Sequence, residues 1–234
     1  MALDLKGRAR LELRRGYLAA RLAINSGLIE RRMGIETSGY ADLGGLGIDA
    51  PGRKRYEPSK WLDLRRILHD RDVHPDDVFL DVGSGKGRVV LQAARYGFRR
   101  VVGVELSPEL NAIATTNLQA RRDSLRCRDV EFVTADVAEY AIPDDVTVIY
   151  VYNAIGGAVF EALVEHLLES LDRRPRTLRF IYNTALEEAT LLRTGRVRLV
   201  RTAPGLRPGR GWSRKMSIRM YSVESRMTSQ GTLH

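Results

Sequence analysis

A chain of 234 residues with 44% hydrophobic content suits one α/β domain with an appendage, and no apolar run approaches the roughly 18 residues of a membrane span. The formal charge of +9 raises nucleic acid as a partner, yet only five of the 38 basic residues are lysines (Lys6, Lys54, Lys60, Lys86, Lys215). The arginines are spread along the chain without interleaved aromatics, so charge by itself does not argue for a nucleic-acid surface.

Residues 3–30 read as a basic helical segment with no signal peptide ahead of it. Leu11, Leu18 and Leu22 recur at i, i+7 and i+11, with Arg8, Arg14, Arg15 and Arg21 elsewhere on its surface. A membrane-surface helix, an RNA arm and a cap on the following domain are all compatible with this pattern; the cap is the simplest. Asn25-Ser26-Gly27 breaks the helix and Leu28 to Met33 resumes it. Residues 34–55 carry loop chemistry in Thr37-Ser38-Gly39 and Gly44-Gly45-Leu46-Gly47. Structureless loops of this length are often functional. Tyr40 and Tyr56 are the aromatics at hand, with surface packing as their plain alternative. Residues 1–57 are therefore expected to form an N-terminal helical cap or lid. Ser59 is placed as the N-cap of a helix running to about His69, with Leu62, Ile67 and Leu68 on its core face.

From there strands and helices alternate. A strand over 78–82 precedes a helix over 86–96 that stops at Gly97, and a strand over 101–105 precedes a helix opened by Ser107-Pro108. Strands follow at 130–135, 146–152 and 178–182, the last two each followed by a helix, at about 158–171 and 185–193. Such alternation implies a parallel sheet with right-handed crossovers. Val197 to Arg201 and Met216 to Val223 are two further strands with no helix between them. They are joined by the Gly/Pro-rich linker 204–212, and residues 224–234 read as a flexible tail.

The chemistry converges on Asp81-Val82-Gly83-Ser84-Gly85-Lys86-Gly87, between the first strand and its helix. A chain reversing there needs torsions that a Cβ forbids, and bare glycines let a ligand lie against the main chain near the free amides of the helix start. A phosphate loop is excluded because Lys86 is followed by Gly87 rather than Ser or Thr. In a dinucleotide fingerprint the third glycine would come one residue later. Asp81 would repel a phosphate and suits a ligand with cationic groups.

This stretch resembles motif I of the class I S-adenosylmethionine-dependent methyltransferases, and the resemblance extends over roughly residues 56–223. Val101 to Glu105 looks like that family's second strand, with Glu105 the acid for the ribose hydroxyls. Glu131 to Asp136 looks like its third, with Asp136 meeting the adenine amine. The family implies an α/β fold: a Rossmann-like, doubly wound, mostly parallel seven-stranded sheet whose last strand is antiparallel, plus the N-terminal helical cap. It implies a cofactor domain over 58–223 that binds S-adenosyl-L-methionine and releases S-adenosyl-L-homocysteine. The cofactor residues it implies are Tyr56, Asp81, Gly83, Ser84, Gly85, Gly87, Glu105, Leu106, Asp136, Val137 and Asn153. N-terminal elements often close over the cofactor in such proteins, which makes Tyr40 an acceptor-side candidate.

In-line attack on a sulfonium methyl can rest largely on positioning. A neutral amine needs little beyond deprotonation, whereas a hydroxyl needs a base or a metal. His69, His74, His166 and His234 lack metal-ligand spacing and none stands at an expected strand end, so no metal is expected and nitrogen is favoured over oxygen. The lone Cys127 cannot form an internal disulfide and fits a reducing cytoplasm. Tyr152-Asn153 occupies the place where amine-directed members carry Asn-Pro-Pro-Tyr or a relative, here without the prolines; both are the catalytic candidates. The next strand repeats the pair as Tyr182-Asn183, which joins the acceptor side. The expected acceptor is a small molecule or a peptide or protein amine, with no membrane partner. An RNA acceptor, a non-catalytic binding module and a nicotinamide enzyme remain as alternatives.

Overall fold

The computed structural model describes residues 16, 28–39, 52, 56–152, 155–205 and 216–225. Most of the expected basic helix, Tyr40, Asn153, residues 206–215 and the tail from 226 lie outside them. Among the described residues no helix is long and apolar enough to cross a membrane.

Seven strands form one sheet: β1 (Val78–Val82), β2 (Arg100–Glu105), β3 (Val130–Thr134), β4 (Val148–Tyr152), β5 (Leu178–Asn183), β6 (Val197–Ala203) and β7 (Ile218–Val223), in the order β3-β2-β1-β4-β5-β7-β6. All pairings are parallel except those of β7, which runs antiparallel to both β5 and β6. The helices are α1 (Arg31–Met33), α2 (Asp63–Ile67), α3 (Arg88–Ala93), α4 (Pro108–Arg121), α5 (Ala158–Arg173) and α6 (Glu188–Arg193).

The apolar runs of β1 and β4 follow from cover on both faces. Val78, Leu80 and Val82 pack with Ile149, Phe180 and the Phe160, Leu163 and Leu167 face of α5. Phe79, Val101 and Tyr150 pack on the other side with Val90 and Leu91 of α3 and Leu64 and Ile67 of α2. The edge strands β3 and β6 are only partly covered. Strand order reverses between β1 and β4, the switch point beyond whose carboxyl ends open α/β sheets bind ligands.

Three helices are shorter than their sequence pattern, each for a local reason. α2 starts at Asp63, not after Ser59: the Asp63 carboxylate accepts from the Lys60 amide, while the Ser59 carbonyl is taken by Arg88 and its buried hydroxyl has no hydrogen bond among the described residues. α3 starts at Arg88 because Gly87 before it is left-handed, with φ 79°. α6 starts at Glu188 because Thr184 is left-handed at φ 61° and the Leu186 amide turns back to the Thr184 carbonyl at 2.8 Å. At α4 the Ser107 hydroxyl caps the Leu110 amide at 3.2 Å, with proline at the first turn.

Candidate cofactor site

The glycine turn sits at the carboxyl end of β1. Gly83, Gly85 and Gly87 have φ of 72°, 53° and 79°, a region that other residues enter at a cost. The amides of Gly83 and Ser84 both reach the Val104 carbonyl, at 2.9 and 3.0 Å, which binds the turn to β2. Two close approaches set its shape. A Cβ at Gly85 would overlap the Tyr56 ring. A Cβ at Gly103, in β2, would stand 2.8 Å from both Phe132 Cδ1 and Ser84 Oγ. Gly103 is thus part of the turn's foundation, and a glycine inside a strand is the signal for such an approach.

The acids lie around this turn. Asp81 is 3% exposed and is the register partner of Gly103 on one side and Tyr150 on the other. Burial, and secondarily the neighbouring Glu105, pushes its carboxyl well above the usual carboxylate range, and no hydrogen bond among the described residues pulls it back. Glu105 is 7% exposed at the end of β2. It accepts from the Gly85 amide at 2.8 Å and the Ser107 amide at 3.0 Å, yet burial still raises it. Asp136, just past β3, accepts from the Ala138 amide at 2.9 Å, a turn contact. The Ala135 amide meets the Glu105 carbonyl at 3.1 Å, so the ends of β2 and β3 are tied together. Val137 is buried and Leu106 half-buried beside these ends.

S-adenosylmethionine fits this set. A buried carboxylate without a donor is costly, and a cationic ammonium or sulfonium offsets that cost. Each oxygen of Glu105 has a second lone pair to offer a ribose hydroxyl beyond its protein donor. The apolar sides of Val137 and Leu106 suit a flat base.

On the β4–β5 side the strands bring Tyr152 level with Asn183 and Val151 level with Tyr182. The two members of the second pair part company. Tyr182 is enclosed, stacked on Phe160 with ring centroids 5.1 Å apart, and its hydroxyl accepts from the Glu187 amide at 3.2 Å. Its alternation puts it on the α5 face, opposite the face of Tyr150. Asn183 points to the opposite face, where its amide donates to the Tyr150 hydroxyl at 2.8 Å and to Asp63 at 3.1 Å. Tyr152 is half-buried and packs on that same face. Asp63 is a member of this cluster that its setting, Leu62-Asp63-Leu64-Arg65-Arg66, does not announce: it reads as an ordinary helix residue.

A second unannounced feature is Arg88, only 2% exposed. Its guanidinium meets Glu30 at 2.6 Å, the Thr37 hydroxyl at 2.7 Å and the Ser59 carbonyl at 2.7 Å, and lies 4.9 Å above the Trp61 ring. Glu30 in turn accepts from the amides and hydroxyls of Thr37 and Ser38. Tyr56 donates to the Thr37 carbonyl at 2.6 Å. Lys86 pairs with Glu36, and Asn117 of α4 exchanges hydrogen bonds with the Glu36 backbone at 2.8 Å each.

Residues 79–174 match the family of methyltransferase domains. A protein-lysine N-methyltransferase of Saccharolobus islandicus (strain REY15A) is 30% identical over 90 residues, which is 37% of this chain and 56% of that protein. The chain thus spans about half the length of that curated relative. Among solved structures, a TehB-like SAM-dependent methyltransferase from Corynebacterium glutamicum has a TM-score of 0.48 at 16% identity, covering 67% of this chain and 84% of that one. The glycopeptide N-methyltransferase MtfA, complexed with S-adenosylmethionine, has a TM-score of 0.49 at 14% identity, covering 63% and 81%. The stretch that carries the glycine turn and the strand-end acids, residues 79–174, is thus similar to methyltransferase domains.

Proposed function

We propose that this chain transfers a methyl group from S-adenosylmethionine to an amine nitrogen on a small molecule or on a peptide or protein. The observation that carries the reading is Asp81, a buried carboxylate without a hydrogen bond among the described residues, beside a left-handed glycine turn and within the field of Glu105. The lysine-directed relative supports an amine acceptor, across the 37% of this chain that it matches.

In this reading the cofactor, when bound, supplies an electrophilic sulfonium methyl. Asp81 and the amides of the glycine turn hold its amino-acid end, with Tyr56 walling that end. Glu105 holds the ribose, and Asp136, Val137 and Leu106 the base. Asn153, the residue after β4, orients the nucleophile by accepting from the amine, so that its lone pair points along the transfer line. Tyr152 bounds the acceptor beside Asn183, which Asp63 and Tyr150 hold rigid. Tyr182 backs the wall from the core. Tyr40 belongs to the acceptor side.

RNA is the second reading, raised by the charge of +9 although that charge alone does not argue for it. Incubating the protein with methyl-labelled cofactor and fractionated cell extract tests both, with Asp81→Ala as the control. Label entering the protein or small-molecule fraction is the expected result, and label in RNA transfers the assignment to the second reading. Cofactor binding with no label in any fraction overturns catalysis and leaves a binding module.

A further inference from the structure

The ion pair between Arg88 and Glu30 has no evident part in methyl transfer, yet it is among the most completely built features of the molecule. Both side chains are buried, at 2% and 3% exposure. Arg88 is the first residue of α3, immediately after the glycine turn. Its guanidinium joins three separate stretches: Glu30, then Thr37 and Ser38, then Ser59. A buried pair is costly to desolvate, and its use is often to fix one arrangement rather than to add stability.

What this pair fixes is legible from its neighbours. Glu30 draws in the amides of Thr37 and Ser38 at 3.2 and 3.1 Å. That sets the Thr37 carbonyl, which receives the Tyr56 hydroxyl at 2.6 Å. The Tyr56 ring then lies so close to Gly85 that no Cβ fits between them. Lys86 completes the clasp by pairing with Glu36 and reaching the Ser38 carbonyl at 3.4 Å. The chain of contacts therefore runs from a buried charge pair, through one backbone carbonyl, to an aromatic ring on the cofactor turn.

We propose that Arg88 and Glu30 are positioning residues for the cofactor pocket, which act through the Thr37 carbonyl to hold the Tyr56 ring over Gly85 before the cofactor arrives. The wall at the amino-acid end is then preformed, and the segment Glu30 to Ser38 is a fixed part of the site. The proposal rests on the reading of the glycine turn as the cofactor site. Preorganisation of this kind raises affinity by removing an ordering cost at the moment of binding.

The test measures S-adenosylmethionine affinity by calorimetry, and cofactor-free thermal unfolding, for the wild type, Glu30→Gln, Glu30→Ala, Tyr56→Phe and Tyr56→Ala. Glu30→Ala is expected to weaken binding about tenfold, and Glu30→Gln, which keeps the acceptor for Thr37 and Ser38, less. Tyr56→Phe keeps the ring and loses only the tether, so it remains informative if Glu30→Ala fails to fold. It is expected to weaken binding several-fold with little change in unfolding temperature, and Tyr56→Ala to weaken it further. A purely structural pair would lower the unfolding temperature and leave the affinity of Tyr56→Phe and Glu30→Gln at the wild-type value, which overturns the proposal alone. A wild type that binds no cofactor overturns the site reading and the proposal together.

Discussion

At the scale of single residues, the site is a place where the fold accepts a cost. Asp81 and Glu105 are both raised above their ordinary range, by burial first. As pH rises through that ordinary range, about 3.9 for aspartate, the unfolded chain releases these protons while the folded chain keeps them. The folded state then binds more protons, so the stability of the cofactor-free protein falls as pH climbs from there toward the folded-state values, and levels off above them. A cationic ligand favours the ionised form, so binding should release protons in that window and tighten with pH. Asp81→Asn should raise cofactor-free stability by about 1–2 kcal/mol at neutral pH while weakening cofactor binding. Chemical denaturation across pH checks the first part, and calorimetry in buffers of different ionisation heat checks the proton release. At Glu30 the sign is opposite: Glu30→Ala leaves a buried guanidinium short of its carboxylate and should destabilise by about 3–5 kcal/mol, read in the same denaturation experiment.

At the scale of elements, the turn depends on what lies beneath it. Gly103→Ala puts a methyl group into the space shared by Phe132 and Ser84, whose Cβ would be 2.9 Å away. The substitution should cost about 1–3 kcal/mol and loosen cofactor binding, because the displaced Ser84 carries one of the two amides that pin the turn to β2. Thermal unfolding with and without cofactor checks both. The alternation of β and α elements was legible in the sequence because each element keeps its own period and its own stop signal. The glycine spacing with an acid before it was legible too, since few ligands ask for both. Helix limits were less so. Ser59 looks like a cap, but a buried arginine nearly thirty residues further on takes its carbonyl. The Tyr152-Asn153 and Tyr182-Asn183 repeat marks two neighbouring strand ends, but the register sets Tyr152 against Asn183 rather than against Tyr182. The repeat does not show which face is open: Tyr182 falls on the side filled by α5, and Asn183 on the side of α2. No local pattern marks Asp63 and Glu30, because the partners that matter, Asn183 and Arg88, are distant in sequence. Asn153 and Tyr40 lie outside the described residues, so their roles remain proposals.

At the scale of the whole molecule, one seven-stranded sheet gathers three sequence-distant acids and a glycine turn at the ends of β1, β2 and β3, with α2 and the Glu30 to Ser38 segment fastened against them. Such a site couples binding to folding. Cofactor at a hundred times its dissociation constant should stabilise the protein by about 2.7 kcal/mol, visible as a rise in unfolding temperature. The central claim is that the pocket around Asp81 and Glu105 holds S-adenosylmethionine. Calorimetric titration of the full chain, set beside Asp81→Ala and Glu105→Ala, tests it most directly. The account predicts saturable one-to-one binding in the wild type, weakened by about 1.5–3 kcal/mol in each variant with the fold intact. No binding by the wild type, or undiminished affinity in both variants, would contradict it.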